Sequence, residues 1–92
     1  MEKEVGATAS TIEAQILKKL RRRGNWAGSH TGLDDIPKSF PKDRRGSVKD
    51  SARELIKKDL LLKKPTGYGD QVSLNPNRKK DIEKIIRDVL GE

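Results

Sequence analysis

Few side chains in this sequence could act as nucleophile, base or soft metal ligand: His30 is the lone histidine, Ser29 precedes it, and the 92 residues contain no cysteine. Disulfides and thiolate zinc sites are excluded, and a single histidine leaves a histidine-built metal site with too few ligands. Adjacency of Ser29 and His30 in sequence says nothing about a catalytic triad, which is a spatial arrangement with a third, orienting group. Asp34-Asp35 has the chemistry of a hard-cation ligand, but adjacent carboxylates ahead of a helical stretch are most often caps for its first N–H groups. Gly67-Tyr68-Gly69 lacks the third glycine and the following helix of a dinucleotide loop, and no P-loop is present. The expectation is a protein that is not an enzyme, uses no cofactor or metal and takes no small-molecule substrate.

Positive charge, by contrast, is abundant. Lys and Arg number 21 against 14 Asp and Glu, a net charge of +7, and the pI is near 9.9. Residues 42–64 hold nine basic and four acidic side chains, +5 of that excess, while 65–75 are slightly acidic. Such a concentration points to a polyanionic partner that meets the middle of the chain. The candidates are Lys42, Arg44, Arg45, Ser47, Lys49, Arg53 and Lys57, with Lys63, Lys64 and Tyr68 further on. Lys49, Arg53 and Lys57 recur every four residues and share one side of a helix. Arginine's planar fork can bind guanine bidentately, which makes Arg45 and Arg53 candidates for base contact, whereas lysine serves phosphates as a point charge. The competing reading is a solvated helix face paired to Asp50 and Glu54. Tyr68 either meets a sugar or phosphate or closes a turn by packing across it. Arg21-Arg22-Arg23 is explained first by the dipole at a helix C-terminus and second as a phosphate track.

The elements that must hold these residues can be read from caps, breakers and periodicity. Residues 1–9 show no periodicity and read as a flexible tail. Ser10-Thr11-Ile12-Glu13 is a capping box, Ile12, Ile16, Leu17 and Leu20 form a stripe, and Gly24 supplies a stop, so a helix is predicted over about 11–23. Asn25 to Gly32 reads as a loop or a very short strand with Trp26 folded over the helix end. Asp34-Asp35-Ile36-Pro37 predicts a short helix over 34–40. A break at Pro41 to Gly46 precedes a second capping box, Ser47 to Asp50, and a helix over 47–59 with Val48, Ala52, Leu55 and Ile56 on its dry face. Leu60 to Leu74 reads as a hairpin about the Pro65–Asp70 turn. Asn75-Pro76 opens a last helix whose stripe is Ile82, Ile85, Ile86, Val89 and Leu90.

With 32% hydrophobic against 38% charged residues, apolar side chains suffice for one small core, and residues 10–92 are expected to form a single domain. It is mainly α with a small β-hairpin, in the order α-α-α-β-β-α of a winged helix-turn-helix. No run of about 18 apolar residues stands in the chain, so no membrane contact is expected and the protein is read as cytoplasmic. The stretch from Gly24 to Pro76 also resembles a group of small archaeal winged-helix proteins of unassigned function. The residues that carry this are Asn25-Trp26, His30-Thr31-Gly32, Ile36-Pro37-Lys38, Arg45-Gly46, Glu54-Leu55-Ile56-Lys57, Lys64-Pro65-Thr66-Gly67-Tyr68-Gly69 and Val72-Ser73-Leu74-Asn75-Pro76. The resemblance implies a winged helix and nucleic-acid binding, with the 47–59 helix in the major groove and the hairpin against the backbone. The reading is a double-stranded DNA-binding protein, sequence-selective or architectural, acting in transcription regulation. The alternatives are an RNA-associated winged helix that relies on the wing and Trp26, and a protein-interaction module of a replication or transcription assembly. The last stripe serves either the core of one chain or a homodimer through residues 80–90.

Overall fold

Ser10 starts the first helix as its neighbours dictate. Its hydroxyl accepts from the Glu13 N–H at 3.0 Å while Glu13 Oε1 accepts from the Ser10 N–H at 2.9 Å, a capping box worth about 1 kcal/mol. The computed structural model describes residues 10–92, and the tail expected over 1–9 lies outside the described residues. Helix α1 spans Thr11–Arg22 and buries Ala14, Ile16, Leu17 and Leu20. It stops one residue short of the expected end, before Gly24 at φ +70°, a left-handed conformation that costs glycine little.

The helix expected over 34–40 does not form. Two 3₁₀ turns, Leu33–Asp35 and Pro37–Ser39, take its place. Pro37 has no N–H to donate to a carbonyl one turn back, so an α-helix cannot run through it. Asp34 and Asp35 do not cap, because the first turn has no side-chain cap hydrogen bond. Asp35 instead pairs with Lys38 at 3.2 Å and Asp34 with Lys49 at 3.7 Å. The turns still bury Leu33, Ile36 and Phe40.

A further 3₁₀ turn, Lys42–Arg44, runs into helix α2, Arg45–Lys57. The helix thus begins two residues before the expected Ser47. That serine lies inside the first turn, and the predicted Ser47–Asp50 box is absent because the N-cap, Arg44, carries no side-chain cap bond. Val48, Ala52 and Leu55 form the dry face as expected. Beyond Lys57 the chain reverses through Asp59 at φ +66°, with the Leu60 N–H bonded to the Leu55 carbonyl at 3.0 Å.

Among the described residues the sheet has three antiparallel strands, β1 (Thr31–Gly32), β2 (Leu61–Thr66) and β3 (Gly69–Leu74), in the order β1-β3-β2. The hairpin is tighter than expected. Its strands run on to Thr66 and Gly69, which leaves Gly67 and Tyr68 as the tip, and Pro65 pairs with Asp70 inside the ladder. Pro65 fits there because β2 is an edge strand, where a missing N–H breaks no internal ladder bond. Strand β1 pairs Thr31 with Val72 and Gly32 with Gln71. A Cβ on Gly32 would stand 2.7 Å from the Asp35 carboxylate, so a larger residue there would make that exposed side chain swing aside. Asn25 is buried; its amide donates to the Ser29 hydroxyl and its Oδ1 accepts from Thr31.

Asn75 closes the sheet onto the last helix. Its Oδ1 accepts from the Asn77 N–H at 3.0 Å and its amide donates to the Asp59 carbonyl at 2.9 Å. After a 3₁₀ turn, Pro76–Arg78, helix α3 spans Lys79–Leu90. Ile82, Ile85 and Ile86 are each at most 1% exposed and pack within the chain, where α3 lies on α1. Of the two roles expected for the last stripe, it fills that of the core of its own chain, with Val89 and Leu90 half-buried against the same core. Two charged contacts tie the helices: Lys58 donates to the buried Glu13 carboxylate at 3.0 and 3.1 Å, and Arg21 pairs with Glu83. The Lys58 pair joins the start of α1 to the end of α2.

Candidate nucleic-acid interface

Helix α2 presents an unusual N-terminus. Lys42, Arg44 and Arg45 surround it, its first turn holds no acidic residue, and nothing caps it. Cations at the positive end of a helix dipole cost a few tenths of a kcal/mol each, and an anion bound there would reverse that cost. Lys42, Arg44, Arg45 and Ser47 are all exposed. Among the described residues, Lys42, Arg44 and Arg45 have no carboxylate within ion-pair distance.

Further along α2 the expected basic side is in place but partly neutralised. Lys49 turns to Asp34 at 3.7 Å and Lys57 to Glu54 at 3.5 Å, whereas Arg53 is exposed and has no ion pair among the described residues. Arg53 and Lys57 line a groove between α2 and the hairpin, together with Leu33, Ile56, Lys63 and Asp70. The fold thus brings Arg53, Lys57 and Lys63 together from two elements far apart in sequence.

Lys63 and Lys64 separate. Lys63 pairs across the ladder with Val72 and Lys64 with Gln71, and successive residues of a strand point to opposite faces. Lys63 joins the α2 groove while Lys64 lies on the other face of the hairpin. Asp70 sits 4.0 Å from Lys63 in the groove, an acidic neighbour that the linear pattern did not flag, because only the strand register brings it there. Tyr68 is 99% exposed at the tip, so it does not close the hairpin by packing. The tip is held by Thr66, whose hydroxyl donates to the Gly69 carbonyl at 2.6 Å and accepts from the Tyr68 N–H at 3.1 Å.

The remaining chemistry-bearing side chains stay apart from this surface. Ser29 accepts from Asn25 and His30 is exposed. Among the described residues no three His, Cys, Asp or Glu side chains gather where they could hold a metal ion, and no helix is long and apolar enough to cross a membrane. Trp26 is half-buried against the core, in a bridge to Leu74, with the Lys79 ammonium 5.9 Å from its ring centroid. Comparison of the chain with protein-family models, with curated proteins and with solved structures returned no match.

Proposed function

We propose that this chain is a winged helix-turn-helix that binds double-stranded DNA in the cytoplasm and works by binding alone, as a regulator or architectural factor. The observation that carries the reading is the groove in which Arg53 and Lys57 of α2 stand beside Lys63 of the hairpin, continued by the uncompensated cations at the α2 N-terminus. In this reading α2 lies in the major groove, Arg45 and Arg53 reach base edges, and Lys42 and Arg44 meet phosphates. Lys49, Lys57 and Lys63 add weaker contacts, since each must leave a carboxylate first, and Ser47 adds an uncharged one. Lys64 and Tyr68 meet backbone beyond the tip.

An RNA- or single-strand-associated role is the second reading, and the fully exposed Tyr68 ring supports it, because a free aromatic can stack on an unpaired base. Trp26, half-buried against the core, supports it less. Electrophoretic mobility shifts with duplex DNA, duplex RNA and single strands of equal length distinguish the readings. Tightest binding to duplex DNA is expected; a preference for single strands that is lost in Tyr68→Ala would replace it with the second reading. Absence of binding to all three would leave the surface to a protein partner.

A further inference from the structure

A second basic cleft lies on the other side of the α2 N-terminus, between α1 and the loop that leads into α2. It is an open cleft of about 460 Å³ lined by Gln15, Lys18, Lys19 and Arg22 of α1, Phe40 and Arg44 of the loop, and Leu90 and Glu92 at the end of α3. Lys18 is neutralised by Glu92. Lys19 lies over the Phe40 ring at 5.2 Å, and Lys19, Arg22 and Arg44 have no carboxylate partner among the described residues. Gln15, from the same wall, has its side-chain oxygen buried with no hydrogen-bond partner among the described residues, a condition that native interiors rarely tolerate.

We infer that this cleft binds a phosphate group, carried either by a free nucleotide or by a nucleic-acid strand. Three uncompensated cations drawn from two elements match a doubly charged, three-oxygen anion better than a single carboxylate. The two guanidinium forks of Arg22 and Arg44 suit phosphate oxygens. Gln15 adds to the set, since its amide can turn and donate an N–H to a phosphate oxygen. Phe40, Pro41 and Leu90 supply the apolar part of the wall. The cleft shares Arg44 with the α2 surface, but Lys19 and Arg22 belong to the cleft alone and allow it to be tested apart.

The test is calorimetric titration of the full chain with ATP and with inorganic tripolyphosphate, beside anisotropy with a labelled DNA duplex. Each is repeated on the double variant Lys19→Ala/Arg22→Ala and on Arg53→Ala. Arg22 and Arg53 are exposed and Lys19 is half-buried over the Phe40 ring, and circular dichroism checks that each variant is folded. For a free-nucleotide site, ATP and tripolyphosphate bind saturably, the double variant weakens both by about tenfold or more, and Arg53→Ala leaves them unchanged. For a strand site, the free phosphates bind without saturation, and the double variant weakens the duplex by a similar factor at every sequence tested. If the double variant changes neither the free phosphates nor the duplex, the cleft inference is overturned. If ATP binds at Lys19 and Arg22 while duplex DNA does not bind at all, the DNA-binding reading fails and the cleft stands.

Discussion

Raising salt should weaken duplex binding by an amount the ion pairs allow one to work out. A cation that neutralises a phosphate releases a condensed counterion, and the log–log slope of affinity against salt is about −0.9 per contact on B-DNA. Seven cations lie along α2, its leading turn and the facing strand, but Lys49, Lys57 and Lys63 already face Asp34, Glu54 and Asp70. Moving such a lysine to a phosphate leaves a carboxylate to collect a counterion, so the net release is small. Lys42, Arg44, Arg45 and Arg53 carry no such partner among the described residues; each brings a full charge into the backbone's field and displaces a counterion even where its fork reaches a base edge, and four such charges give a slope of about −3.6. Affinity should therefore fall about 150-fold between about 50 and 200 mM salt. Anisotropy titrations over that range measure it. Arg53→Ala should flatten the slope by about 0.9 and Lys57→Ala by clearly less. A slope shallower than about −1 would refute the phosphate footprint itself, and equal flattening by Lys57→Ala and Arg53→Ala would refute the argument from pairing.

Other perturbations bear on single elements. Arg45→Ala or Arg53→Ala should lower discrimination between DNA sequences by about 1–3 kcal/mol, while Lys64→Ala weakens all sequences alike; uniform loss in all three, measured by competition binding, would indicate binding without base readout. Ile86→Ala, at a position 1% exposed between α3 and α1, should cost about 2–5 kcal/mol in urea unfolding, and sedimentation of the unmodified protein at micromolar concentration should show a monomer. Glu13→Gln keeps the shape of the buried side chain but removes the charge that faces Lys58, so a loss of about 1–3 kcal/mol is expected, and an unchanged urea midpoint would show that the pair adds nothing. The hydrogen bond from Lys84 to Asp88, aided by the Lys84 and Arg87 charges and opposed by desolvation, holds the Asp88 carboxyl below the ordinary aspartate value of 3.8. Its stabilising effect is present above pH 3.8 and fades as pH falls through the lower folded value; carbon-detected titration should find Asp88 returning toward 3.8 in Lys84→Ala.

Short-range features were legible in the sequence because their causes are short-range. Ser10 and Glu13 are three residues apart and satisfy each other's N–H groups wherever the helix sits, Gly24 ends α1 for a backbone reason, and the stripes of α1, α2 and α3 follow from one residue in every three or four having to leave water. The concentration of charge over 42–64 was equally visible. Cap chemistry misled where a competing local term was stronger: Pro37 denies the 34–40 segment an α-helix, and the 3₁₀ turn at Lys42–Arg44 carries α2 past Ser47 from the front. The rest belonged to tertiary structure. Whether Ile82, Ile85 and Ile86 meet α1 or another chain depends on the angle at which α3 returns, which Asn75 and the end of β3 set. That Lys63 faces α2 while Lys64 does not depends on a strand register with a period of two, where a shift by one residue exchanges the faces. Only the packed fold brings Arg53 beside Lys63, or Arg22 beside Arg44, because the residues that create each surface lie on separate elements and no spacing in the chain encodes their approach.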